Sequence, residues 1–255
     1  MSDRTPKRSG GSRHGAASGG RGTRGGGKAR PRLQEERGSE KPPRWQGSLP
    51  GSVVAEVRGV VRGPKAESVL EALERSVDLL GRRQPGKAVA EAERAKRLAP
   101  RSSSVREILG LAYYGQERYR EALSEIQAYR RMSGHADQNH IAGDCYRALG
   151  QPDKAVKLAA EELDSDAPAE SRAEAAVVGA SALADGGRTD EALAMLRRFR
   201  TRSDAARPFD LRVWYVAGDI LAKVGRRDEA AEEFRRIVRH DADAFDAAER
   251  LAQLS

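Results

Sequence analysis

Residues 214–234 read WYVAGDILAKVGRRDEAAEEF. Gly218 sits among large apolar residues, a turn follows at Gly225, and a second apolar run opens on Ala230 and reaches Phe234. Apolar side chains at three- and four-residue steps on both sides of a glycine turn describe two helices folded back on each other. The same order recurs upstream. Ala88, Ala122, Ala155, Ala192 and Ala230 each follow a turn, at spacings of 34, 33, 37 and 38 residues. A period in the thirties marks stacked supersecondary units, each burying its apolar face against its neighbours.

Aligned on these alanines, further columns appear. Twelve residues earlier the chain is small: Ser76, Gly110, Gly143, Ala180 and Gly218. Nine residues earlier it is large, at Leu79, Tyr113, Tyr146, Leu183 and Leu221. Four residues later it is apolar, at Ala92, Ile126, Ala159, Leu196 and Phe234. A small residue lets a second helix approach closely, and a large one fills the space beside it. No segment alternates as a half-buried strand does.

This pattern resembles the tetratricopeptide repeat (TPR) family over residues 66–240, with 105–132 and 214–238 the best copies. The resemblance implies an all-α fold: a right-handed superhelix of about five TPR-like helix-turn-helix repeats with flanking capping helices. The proline that usually closes a repeat is in register only at Pro100, and the last two intervals are long. The repeats are therefore expected to be less regular around 164–168 and 201–208. The flanks are expected at 52–62, capped by Ser52, and at 244–254, capped by Asp243 with Phe245, Ala248 and Leu251 inward.

The chain divides into a tail (1–32), a Pro-containing linker (33–51) and the repeat domain (52–255). The tail carries nine Lys or Arg against Asp3, so its charge equals the +8 of the whole chain. With nine glycines and no Val, Leu, Ile, Phe, Tyr or Trp, it is expected to be disordered. Its Arg21, Arg24, Lys28, Arg30 and Arg32 suit weak, salt-sensitive contact with RNA phosphates. That makes an RNA- or ribosome-associated adaptor the alternative reading. Trp45 is the one aromatic ahead of the repeats.

No apolar run spans a membrane; the longest, 175–184, is about half a span. The basic N-terminus has no apolar segment after it, unlike a secretory signal. The single Cys145 suits a reducing compartment. A cytoplasmic protein is expected, and the wealth of Ala, Arg and Gly suggests a bacterial source.

Enzyme signals are nearly absent, and no catalytic residue, metal site or cofactor is expected. His135 and His140 are five apart and do not share a helix face. Cys145 lies in a packing layer and reads as a buried, inert thiol. Tyr113, Tyr146, Trp214 and Phe234 fall in packing columns, leaving Tyr114 and Tyr215 as candidates for surface recognition.

In TPR proteins the first helices line a concave groove that takes peptides or partner helices. The resemblance carries that role to exposed inner positions: Glu107, Tyr114, Asp137, His140, Asp144, Arg147, Glu174, Asp185, Arg212, Tyr215, Asp219 and Lys223. Six are acids and three are bases. Asp144 and Asp219 stand where a TPR domain that clamps a terminal carboxylate has neutral Asn, so such a ligand would be repelled. The expected function is a non-catalytic scaffold that binds a protein or peptide, with a basic or polar segment in the groove.

Overall fold

The computed structural model describes residues 49–254. The tail residues Arg21, Arg24, Lys28, Arg30 and Arg32, and Trp45 in the linker, lie outside the described residues. Twelve α-helices and no strand occur among the described residues. α1 (Gly51–Val60) precedes five antiparallel pairs. These are α2 (Pro64–Gly81) with α3 (Pro85–Leu98), α4 (Ser103–Gly115) with α5 (Tyr119–Ser133), and α6 (Asn139–Ala148) with α7 (Pro152–Leu163). Next come α8 (Ala169–Asp185) with α9 (Thr189–Arg198), and α10 (Pro208–Lys223) with α11 (Arg227–His240). α12 (Ala247–Leu254) closes the stack. The chain folds as an all-α repeat solenoid.

The turn inside each pair has one conformation, repeated five times. Five residues before each punctuating alanine the backbone is left-handed: Arg83 (φ 56°), Glu117 (62°), Gly150 (74°), Gly187 (76°) and Gly225 (80°). The next residue takes ψ between 59° and 65° and begins the second helix. Its N–H donates back to the carbonyl five residues earlier: Gln84 to Leu79, Arg118 to Tyr113, Gln151 to Tyr146, Arg188 to Leu183 and Arg226 to Leu221, at 2.8–3.0 Å. This six-to-one bond satisfies a carbonyl that the helix end would otherwise leave unpaired. Glycine adopts the left-handed conformation without a Cβ penalty, whereas Arg83 and Glu117 carry that cost.

Because every turn is alike, every second helix packs in the same register. All five alanines occupy the fourth position of their helix and are fully buried. The small column faces the second helix at contact distance. Ser76 Oγ donates to the Ala88 carbonyl at 3.0 Å. A Cβ on Gly110 would lie 2.6 Å from Ile126 Cδ1, and one on Gly218 would lie 3.0–3.2 Å from the Phe234 ring. Glycine thus stands opposite Ile126 and Phe234, Ala180 shares its repeat with Leu196, and Ser76 shares its repeat with Ala92. Large on one helix is matched by small on the other, as close packing requires. Cys145 is fully buried between the layers, and burial pushes its thiol well above the usual range.

The flanks differ from expectation. α1 starts at Gly51, before Ser52, and Pro50 occupies the N-cap without a side-chain bond. Leu49, read as part of the linker, is buried in the core. α1 is tied down by Glu56, whose carboxylate accepts from Ser102 Oγ at 2.7 Å and from the Ser103 N–H at 2.9 Å, at the start of α4. At the other end Asp243 caps nothing, because α12 begins only at Ala247. Phe245 sits before it with φ 56° and packs on Tyr215, ring centroids 4.9 Å apart. Ala247 is the buried alanine there and Ala248 is exposed.

The two long periods place their extra residues differently. In the first, α8 grows to 17 residues. In the second, α9 has only 10 residues, against 12–15 in the other second helices, and a nine-residue connection (199–207) follows. The left-handed turn position sets a direct test by urea unfolding. Gly225→Ala should cost about 1 kcal/mol, and Arg83→Gly should gain up to about 1 kcal/mol. A loss of stability in Arg83→Gly contradicts the strain assigned to that residue.

Candidate functional site

The odd-numbered members of the stack, α3, α5, α7, α9 and α11, are the second helices; α4, α6, α8 and α10 are successive first helices. Side chains on neighbouring first helices meet across roughly one repeat of sequence. Tyr114 on α4 donates its hydroxyl to Asp144 Oδ2 on α6 at 2.5 Å. Asp144 Oδ1 accepts from Arg147 Nε at 2.8 Å, and Arg147 Nη1 reaches Asp185 Oδ2 on α8 at 3.0 Å. Glu174 on α8 pairs with Arg212 on α10 at 3.0 Å. Asp219 on α10 contacts Lys223 and accepts from Arg250 on α12 at 2.9 Å. Three groups of polar contacts thus join each first helix to the next from α4 to α12, together forming a polar rail.

Further bonds fix the side chains beside the rail. Gln138 donates to Glu107 at 2.7 Å, Tyr129 to Asp137 at 2.8 Å, and Tyr215 to Asp246 at 2.8 Å. The carboxylate of Glu162 on α7 accepts the His140 N–H at 2.6 Å and lies 3.0 Å from its Nδ1. It serves as the cap of α6, whose own N-cap residue supplies none. Burial pushes the Glu162 carboxyl above its ordinary range, and the His140 contacts pull it part of the way back.

These positions are not exposed as the sequence reading expected. Glu107, Tyr114, Asp137, His140, Asp144, Arg212 and Tyr215 are all no more than 9% exposed. Tyr114 and Tyr215, read as surface aromatics, are buried with bonded hydroxyls. Arg147 and Asp219 are half-buried, and Asp185 and Lys223 are exposed. The cause is a face read one helix at a time. Most of these residues find a bonding partner in the adjacent repeat, whereas His140 is bonded to Glu162 of its own pair.

The electrostatics follow from the pairing. Burial disfavours the Arg147 cation, but Asp144 and Asp185 outweigh it and raise its pKa. Burial and the bond to Glu93 push the Tyr113 hydroxyl up to about 12. Among the described residues no group of three His, Cys, Asp or Glu has the geometry to hold a metal ion. No helix there is long and apolar enough to cross a membrane.

Partner loss separates rail from surface. Arg147→Ala leaves a buried Asp144 carboxylate without its cation and should cost about 2–3 kcal/mol. Arg75→Ala removes only an exposed pair with Glu71 and should change stability by less than about 0.5 kcal/mol. Equal effects in urea unfolding contradict the rail as a structural link.

Models of the tetratricopeptide repeat match residues 73–137 and 140–246. No curated protein matches the sequence. Among solved structures, TTC0263 of Thermus thermophilus, a thermophilic TPR protein, is 16% identical with a TM-score of 0.57. The match covers 73% of this chain and 98% of that one. PilF of Pseudomonas aeruginosa is 13% identical with a TM-score of 0.56, covering 75% and 90%. A putative kinesin light chain with TPR-like repeats from Podosopora anserina is 18% identical with a TM-score of 0.55, covering 69% and 95%. At these identities the likeness is one of fold.

Proposed function

Because the chain belongs to the tetratricopeptide repeat family, we propose that it is a non-catalytic scaffold holding a segment of a partner protein against its first-helix face. Repeats of this family bind proteins and peptides, and that coarse role comes with the fold. The finer reading is that the segment is basic or polar and lies along α4, α6, α8 and α10.

One observation carries this reading: the polar side chains of the face are linked from repeat to repeat instead of being left mobile. A pre-ordered face loses less side-chain entropy on binding than one whose long side chains must be fixed by the ligand. The rail also sets the charge. With their neighbours, Glu107, Asp137, Asp144, Glu174, Asp185 and Asp219 outnumber Arg147, Arg212, Lys223 and Arg250, so the field favours cations. Asp185 and Lys223 are its exposed members and the natural points of first contact. Asp144 contributes by fixing Tyr114 and Arg147 rather than by meeting solvent.

A photo-crosslinking amino acid placed in cells at position 185, 223 or 157 tests the proposal. Positions 185 and 223 lie on first helices, and Lys157 is exposed on a second helix. Positions 185 and 223 should capture the same protein through a segment richer in Lys and Arg than in Asp and Glu, while 157 should not. Capture mainly from 157, or through an acid-rich segment, contradicts it.

A further inference from the structure

The short α9 leaves a cleft of about 740 Å³ between α9 and α11, over α10. Leu196, Phe199, Val213 and Trp214 form its floor, within the size range of pockets that take a small ligand or a peptide side chain. The floor is held in place. Trp214 Nε1 donates to Thr201 Oγ1 at 3.0 Å, and Arg236 lies over the indole at 4.5 Å. Phe199 and Phe209 meet edge to face at 6.1 Å, and Arg207 stacks on Phe209 at 4.2 Å. The nine-residue connection is therefore pinned at both ends, and the buried indole, with Arg236 over it and the His240 ring 5.5 Å away, forms one edge of the cleft.

The walls differ in kind. On the α11 side, Glu229 is held by Arg226 at 2.6 Å, Glu232 by Arg235 at 3.6 Å and Glu233 by Arg236 at 3.0 Å, and Asp228 is exposed. On the α9 side, Arg197 and Arg200 are exposed and form no ion pair among the described residues. Neighbouring Arg198, by contrast, is paired with Asp164 at 2.7 Å. The charges still open to a ligand on that wall are thus cationic, beside an apolar floor. The acids on the facing wall repel an anion and would turn it toward Arg197 and Arg200.

We propose that this cleft is a second docking site, separate from the first-helix face, for an acidic segment of a partner protein that carries a bulky apolar side chain. The apolar side chain enters the cleft beside Trp214, against Leu196 and Phe199, and the flanking carboxylates meet Arg197 and Arg200. The two faces then select opposite charge, so the scaffold can hold two different segments at once.

The chain has two tryptophans, so Trp45→Phe makes Trp214 the sole tryptophan reporter in the full chain. The probes are the synthetic peptides DDLFDDL and KKLFKKL, with oligo-uridine as a third arm. DDLFDDL should shift Trp214 emission saturably and bind tighter than KKLFKKL. Arg197→Glu/Arg200→Glu should weaken DDLFDDL at least about tenfold and reverse the preference between the peptides. The comparison of peptides on the parent chain needs no charge variant, so it stands even if that variant folds poorly. Equal affinity for both peptides, no saturable shift with DDLFDDL, or an affinity unchanged in the arginine variant overturns the proposal. Binding of oligo-uridine through Arg197 and Arg200 with none of DDLFDDL overturns it too.

Discussion

One backbone hydrogen bond, made five times, sets the arrangement of the molecule. The N–H four residues ahead of each buried alanine donates to the carbonyl nine residues ahead, across a left-handed residue. That bond ends the first helix and aims the second. It also fixes which residues of the two helices oppose each other. The alanine and small columns then follow as a packing consequence, because glycine at 110 and 218 is what lets Ile126 and Phe234 fill the space between layers. A change in the turn would shift every contact downstream of it within that repeat.

With the pairs in a constant register, their first helices present matching surfaces to one another, and the polar rail becomes geometrically available. Tyr114, Asp144, Arg147 and Asp185 connect three consecutive first helices through bonds of 2.5–3.0 Å. Half-buried charges are costly unless paired, so the rail restrains the spacing between repeats as well as neutralising its own charges. On the proposed reading, side chains already held by these bonds lose less entropy when the face takes a segment of another chain. After the short α9, where the nine-residue connection runs, a cleft opens between α9 and α11.

The repeat framework was legible in the sequence because packing columns recur at fixed offsets from five alanines. The turn was only partly legible. Gly150, Gly187 and Gly225 mark its left-handed position, but Arg83 and Glu117 occupy the same place with side chains that give no such signal. At the flanks the helix starts were misread, since Pro50 precedes α1 and α12 begins only at Ala247, and caps supplied from a distance elsewhere in the stack gave no local signal. Glu56 reaches α4 and Glu162 reaches α6 across 46 and 22 residues. The environment of the candidate residues was not legible. Tyr114, Asp144, Arg212 and Tyr215 read as exposed from the sequence, yet they are buried against partners one repeat away. No single-repeat reading contains those partners. The cleft could have been suspected from the long last interval and the arginine-rich stretch RRFRTR at 197–202, where a helix ends early.

Hydrogen–deuterium exchange of the full-length chain, alone and bound to the partner captured in cells, tests most directly whether the first-helix face is the binding surface. New protection should concentrate in α6, α8 and α10, with the second helices changing little. Protection confined to the second helices, or no protection in the presence of saturating partner, would contradict a scaffold that binds through the rail.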